Sequence, residues 1–125
     1  MKLVVRGLVG LLGALALVMA VAFWINPGLP AARLGVSALS VLGFATLRAD
    51  MGGFFAMAGV LSLAGAVRDN ARLLTAPLLL VALALAARIA TAALSGYTPE
   101  MAQPMVVEAV LVAVLALGRR TLSVA

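Results

Sequence analysis

Residues Gly7–Ile25 read GLVGLLGALALVMAVAFWI, a run without a single charge. As a helix it is about 28 Å long, enough to cross a hydrocarbon core of about 30 Å. Lys2 and Arg6 precede it, and Trp24 stands at its far end, where an indole favours the headgroup boundary. Asn26-Pro27-Gly28 then breaks the helix. A basic start, an apolar stretch and Ala20-Val21-Ala22 as a cleavage-like site also fit a signal peptide. The run is longer than the usual apolar core of such a peptide, which favours a span.

The rest of the chain has the same character. Of 125 residues, 66% are hydrophobic and 10% charged, whereas soluble domains run at about 45–50% apolar and about 25% charged. A globule of this size buries only about two-thirds of its surface, so most of this chain has lipid as its solvent. That excludes a cytoplasmic enzyme, a nucleic-acid reader and a disordered tail. With no Cys and no His, disulfides, thiolate nucleophiles, zinc–sulfur sites and the usual general base are excluded as well. Four carboxylates and Tyr97 are the stock of acid–base groups. No phosphate-cradling glycine motif is present, since the glycines lie inside apolar runs. Neither a cofactor nor a metal is expected.

Three further spans follow. Met51–Val67 ends at Arg68-Asp69-Asn70-Ala71-Arg72. Leu73–Leu94 is interrupted by Arg88, with Pro77 in its first turns, where a missing amide costs least. After the turn Ser95–Glu100, a fourth span runs from about Gln103 to Leu117. Pro104 reads as a first-turn proline, and Gly118 as a stop beside Arg119 and Arg120. Leu29–Leu47 is apolar but carries Pro30, Arg33, Ser37, Ser40, Gly43 and Thr46. As a fifth span it would meet the next through Arg48-Ala49-Asp50 alone, too short a link for two antiparallel helices. The expectation is a short helix over about 31–47 that lies in the interface or re-enters the membrane.

Arginine placement supports four spans with both termini cytoplasmic. Lys2, Arg6, Arg68, Arg72, Arg119 and Arg120 then face inside, Arg33 and Arg48 outside, and Arg88 is intramembrane. A five-span chain would send Arg68, Arg72, Arg119 and Arg120 outside. The fold class expected is therefore all-α, a transmembrane four-helix bundle in one domain. Small residues at four-residue spacing allow close helix approach: Gly10/Ala14, Gly52/Ala56, Ala58/Ser62/Ala66, Ala82/Ala86/Ala90 and Ala109/Ala113. Gly52 and Gly53 stand out as helix-packing glycines. In a chain so rich in Ala and Gly such spacings also arise by chance. Phe54-Phe55 are expected to face lipid or a partner, and Met101 and Met105 read as ordinary packing.

Arg48, Asp50, Arg88 and Glu108 are the candidate site residues. Arg88 lies six residues before Leu94, about 9 Å below the outer end of its span; Glu108 lies five residues after Gln103, about 7–8 Å below the same boundary. The heights match, and a bidentate Arg88–Glu108 pair is expected. Arg48 and Asp50 enter the outer end of the preceding span and would join them. A charge at bilayer depth costs at least about 2.5–3.5 kcal/mol and so faces protein or a wet cavity. The cluster reads either as a buried ion-pair network that registers the helices or as a polar pocket for a lipid headgroup. Acid–base catalysis by Asp50 or Glu108 is a third reading.

The string Leu47-Arg48-Ala49-Asp50-Met51-Gly52-Gly53, then Ala87-Arg88, then Glu108-Ala109, over roughly residues 5–120, resembles a family of small bacterial membrane proteins catalogued as domain of unknown function 4345. The Arg-Ala-Asp-x-Gly-Gly stretch is its most specific part. The resemblance implies four membrane helices in a bacterial inner membrane and an ill-defined segment between the first two; it implies no activity. The expected role is that of an accessory or structural subunit without enzyme activity, in a larger membrane complex or a homo-oligomer. The alternative is a binder or carrier of a lipid or other small amphiphile. Membrane lipids and protein subunits are the expected partners, and nucleic acid is not.

Overall fold

The computed structural model describes residues 1–124. All regular structure among them is helical: α1 (Lys2–Ile25), α2 (Gly28–Arg33), α3 (Val41–Thr46), α4 (Gly52–Arg68), α5 (Thr75–Ser95) and α6 (Ala102–Thr121). A π-helical turn, Leu47–Met51, joins α3 to α4, and short 3-10 turns precede α5 and α6. Four rods are long and apolar enough to cross a membrane: Lys2–Ile25, Val41–Arg68, Ala71–Ser95 and Pro99–Thr121. The chain is a multi-pass helical membrane protein.

The second rod is 28 residues long and starts at Val41, ten positions before the expected start. Residues 31–47 do not make one helix. Instead α2 ends after Arg33, Gly35 takes a left-handed turn (φ 76°), and Ser40 caps a new helix by accepting from the Gly43 amide at 3.3 Å. Arg48-Ala49-Asp50 is not a hairpin. It lies inside the rod as part of the π turn, about 10 Å from the rod's start at Val41.

The rods alternate in direction, so both termini lie at one end. Around the bundle, α1 packs on α4 and α6, and α5 packs on α6 and α4. The closest crossing is between α1 and α4. A Cβ on Gly13 would come within 2.9 Å of the Leu63 amide nitrogen, and one on Gly59 within 2.8 Å of the Gly13 carbonyl oxygen. These two glycines bring backbone against backbone, the means by which helices associate where lipid offers no hydrophobic drive. Gly10 meets Ala66 only at ordinary contact distance, and Ala14 is exposed. Ala58, Ser62 and Ala66 are buried as packing positions, whereas Ala86, Ala90, Ala109 and Ala113 face outward. Gly118 does not stop α6: the helix continues to Thr121, and Gly118 lets Leu74 and Val9 approach where a Cβ would meet them at 2.8 and 2.9 Å.

The bundle is closed at the terminal end and split at the other. Val5, Val9, Leu74, Val81, Leu115 and their neighbours draw all four rods into one core. The core at the far end contains Phe23, Ala31 and Leu47, packed by Met19, Leu34, Ala38, Met51 and Phe55. Those residues come from the first and second rods and the segment between them; α5 and α6 contribute none. Phe55 stacks on Phe23 with ring centroids 5.7 Å apart, so it faces the interior and not lipid.

Candidate functional site

Arg88 on α5 and Glu108 on α6 meet where the two helix pairs diverge. Arg88 Nε donates to Glu108 Oε1 at 2.8 Å. The arginine side chain is 32% exposed and the carboxylate 13%. The pairing uses the one Nε bond and not a two-pronged fork, and Arg88 also lines the space between the helices.

Arg48 and Asp50 do not join them. Both are exposed, and no ion pair holds either among the described residues. Arg48 instead ties the second rod to the end of α1: its Nε donates to the Trp24 carbonyl at 3.1 Å, and the Trp24 indole donates to the Arg48 carbonyl at 3.1 Å. The four-charge cluster is thus a pair plus a separate clamp. The rotation of the rod explains this: Leu47 and Met51 turn inward on the π turn, which carries Arg48 and Asp50 to the outside. Gly52 serves the clamp, because a Cβ there would collide with the Trp24 indole nitrogen. Gly53 has open space around it and packs against no helix.

A cavity of about 530 Å³ opens beside the Arg88–Glu108 pair. All four rods wall it, through Met19, Phe55, Val81 and Leu111 among others, and α2 closes its far end with Leu29, Pro30 and Arg33. Its polar groups gather at that end: Arg33, Arg88, Gln103 and Glu108. A second hollow of about 350 Å³ lies deeper, lined by apolar side chains and Ser62. The two share Met19, Phe54, Phe55, Val81, Val107 and Leu111 and so form one groove. Leu15 on α1 and Val106 on α6, which line the deeper part, are 52% and 60% exposed. The groove is therefore open sideways between α1 and α6. Its size falls within the range of small-molecule sites, about 300–1,000 Å³.

Arg33 is the residue that sequence reasoning missed at this place. It was legible only as an outer-side arginine in a segment of uncertain structure. The one local signal was Pro27 and Pro30 around a short helix that ends in Arg33, and nothing in that pattern says which way the helix folds.

The terminal end is held by a separate polar network. Lys2 Nζ donates to Asp69 Oδ2 at 2.9 Å and to Ser123 Oγ at 3.0 Å. Ser123 donates its amide to Asp69 Oδ1 and its hydroxyl to Asp69 Oδ2, and its carbonyl accepts from the Ala71 amide at 2.7 Å. The Lys2 ammonium, with the Ser123 amide and hydroxyl, lowers the Asp69 carboxyl to about 2. Arg6 donates to the carbonyls of Ala66 and Val67, the unsatisfied acceptors at the end of α4. Arg119 donates to Thr75 Oγ1 at 2.8 Å. Some of the basic residues expected to set topology thus also tie helix ends together.

Comparison with family models, curated proteins and solved structures finds no match. The resemblance noted above rests on the quoted residues alone.

Proposed function

We propose that this protein binds or carries a lipid-like amphiphile in the groove between its helix pairs. The observation that carries this reading is the groove itself: apolar through its depth, polar at one end, and open sideways to the surroundings of the helices. A cluster that served only to register the helices would be packed shut around Arg88 and Glu108. The same reading places both termini in the cytoplasm, because six of the nine basic residues lie at the closed end and only Arg33 and Arg48 at the open one. The membrane proposed is the bacterial inner membrane. No catalytic residue is proposed, since Arg88 already engages Glu108 and no His or Cys is available.

Native mass spectrometry from mild detergent tests this. The expected result is an adduct of lipid mass on the wild type that is lost in Ala84→Trp, which fills the groove from α5. Wild-type protein that ejects bare from lipid-supplemented micelles would overturn the reading. Orientation is accessible because the chain has no Cys: single cysteines at Ser123 and Ser95 should label from opposite sides of sealed vesicles.

A second reading is an accessory or structural subunit, or a homo-oligomer. It is favoured by the outward small residues Ala86, Ala90, Ala109 and Ala113, which would admit a neighbouring helix.

A further inference from the structure

We infer that the groove selects one outer-leaflet lipid whose headgroup is an oxyanion with net negative charge; this rests on the amphiphile-binding reading. Two observations meet here. The first is charge. Two guanidiniums, Arg33 and Arg88, and one carboxylate, Glu108, line the polar end. Glu108 is the less exposed partner of its pair and already accepts from Arg88 Nε. Arg88 balances its charge, so it offers no net negative charge to a cationic headgroup. Arg33 has no ion-pair partner among the described residues, and Asp50, the nearest carboxylate in sequence to the outer end of the second rod, does not line the cavity. The uncompensated charge is positive and sits on planar donors that match the oxygens of a phosphate or carboxylate.

The second observation is depth. On α6 the groove runs from Gln103 to Leu115, and on α1 from Ala22 to Leu12. At 1.5 Å per residue these distances are about 18 and 15 Å. Half of a hydrocarbon core of about 30 Å is about 15 Å. The whole groove therefore matches the depth of a single leaflet, with the charged end at the boundary, an apolar part of about 10 Å below Glu108 on α6 and about 15 Å on α1, and the side opening between α1 and α6 as the entry from that leaflet. A soluble anion would leave the apolar depth of the groove unused.

The test is competition between lipids of identical acyl chains in native mass spectrometry of the full chain. Phosphatidylglycerol should be retained over phosphatidylcholine on the order of tenfold. Arg33→Gln should bring that ratio near one while phosphatidylcholine binding persists. Arg48→Gln, which alters a charge outside the groove, should leave the ratio as in the wild type. Oleate that displaces phosphatidylglycerol assigns the site to a free fatty acid; failure to displace assigns it to a phospholipid, and either supports an oxyanion site. Equal retention of both phospholipids by the wild type overturns the headgroup inference and leaves amphiphile binding standing. A ratio unchanged by Arg33→Gln also overturns it. Absence of every lipid from the wild type overturns the amphiphile reading itself.

Discussion

Glu108→Gln isolates the contribution of the intramembrane pair. The substitution keeps size and an acceptor for Arg88 Nε but removes the counter-charge. Breaking a fully buried pair by removing one partner costs about 3–5 kcal/mol. A lone arginine at the membrane centre costs about 2.5–3.5 kcal/mol on insertion scales. Arg88 is 32% exposed and lies seven residues before the end of α5 at Ser95, about 10 Å below it. From there its long side chain reaches part of the way to the headgroups, so a value somewhat below both ranges applies. The expected loss is about 2 kcal/mol, read by unfolding in mixed detergent micelles titrated with SDS. Arg88→Met combined with Glu108→Met should recover most of it, because two apolar side chains leave no charge unpaired. The reasoning is refuted if Glu108→Gln unfolds at the wild-type midpoint, or if the double variant is no more stable than the single one.

Other expectations follow from the packing and the terminal network. Gly59→Ala forces α1 and α4 apart at a backbone contact and should cost about 1–3 kcal/mol in the same unfolding assay; a neutral result would mean that the crossing is looser than the 2.8 Å approach requires. Gly52→Ala should expel the indole of Trp24, the chain's one tryptophan, and shift its emission, whereas Gly53→Ala should leave emission unchanged; the reverse pattern would refute the clamp. Asp69 has a folded-state value of about 2 against an ordinary 3.8. Its contribution to stability is therefore complete above about pH 4 and lost as pH falls through about 2. The protection factor of the Ser123 amide, its exchange corrected for the intrinsic pH dependence, should fall across that window in the wild type and should be low throughout in Asp69→Asn.

The apolar runs were legible because membrane insertion is a local, additive property of about twenty consecutive residues. Gly7–Ile25, Leu73–Leu94 and Gln103–Leu117 each lie within a rod of the structure. The common depth of Arg88 and Glu108 was legible for a related reason, since rise per residue turns position along a helix into height. What a single chain segment does not encode is its rotation about its own axis. The π turn at Leu47–Met51 breaks the helical phase, so Arg48 and Asp50 face outward, and because the rod begins at Val41 they lie within it and not at its outer end. Gly13 and Gly59 were passed over because an abundance of Gly and Ala makes every helix offer several small faces, and only the partner's position selects one.

Sequence alone determined that this chain has four segments apolar and long enough to cross a membrane, and that it carries one arginine and one glutamate at the same level of neighbouring spans. Only the tertiary structure decided that these two meet at the edge of a groove, that Arg33 is folded over its end by α2, and that the helix pairs separate above a shared core. Hydropathy acts residue by residue, whereas a cavity exists only in the difference between how tightly two ends of the same helices pack.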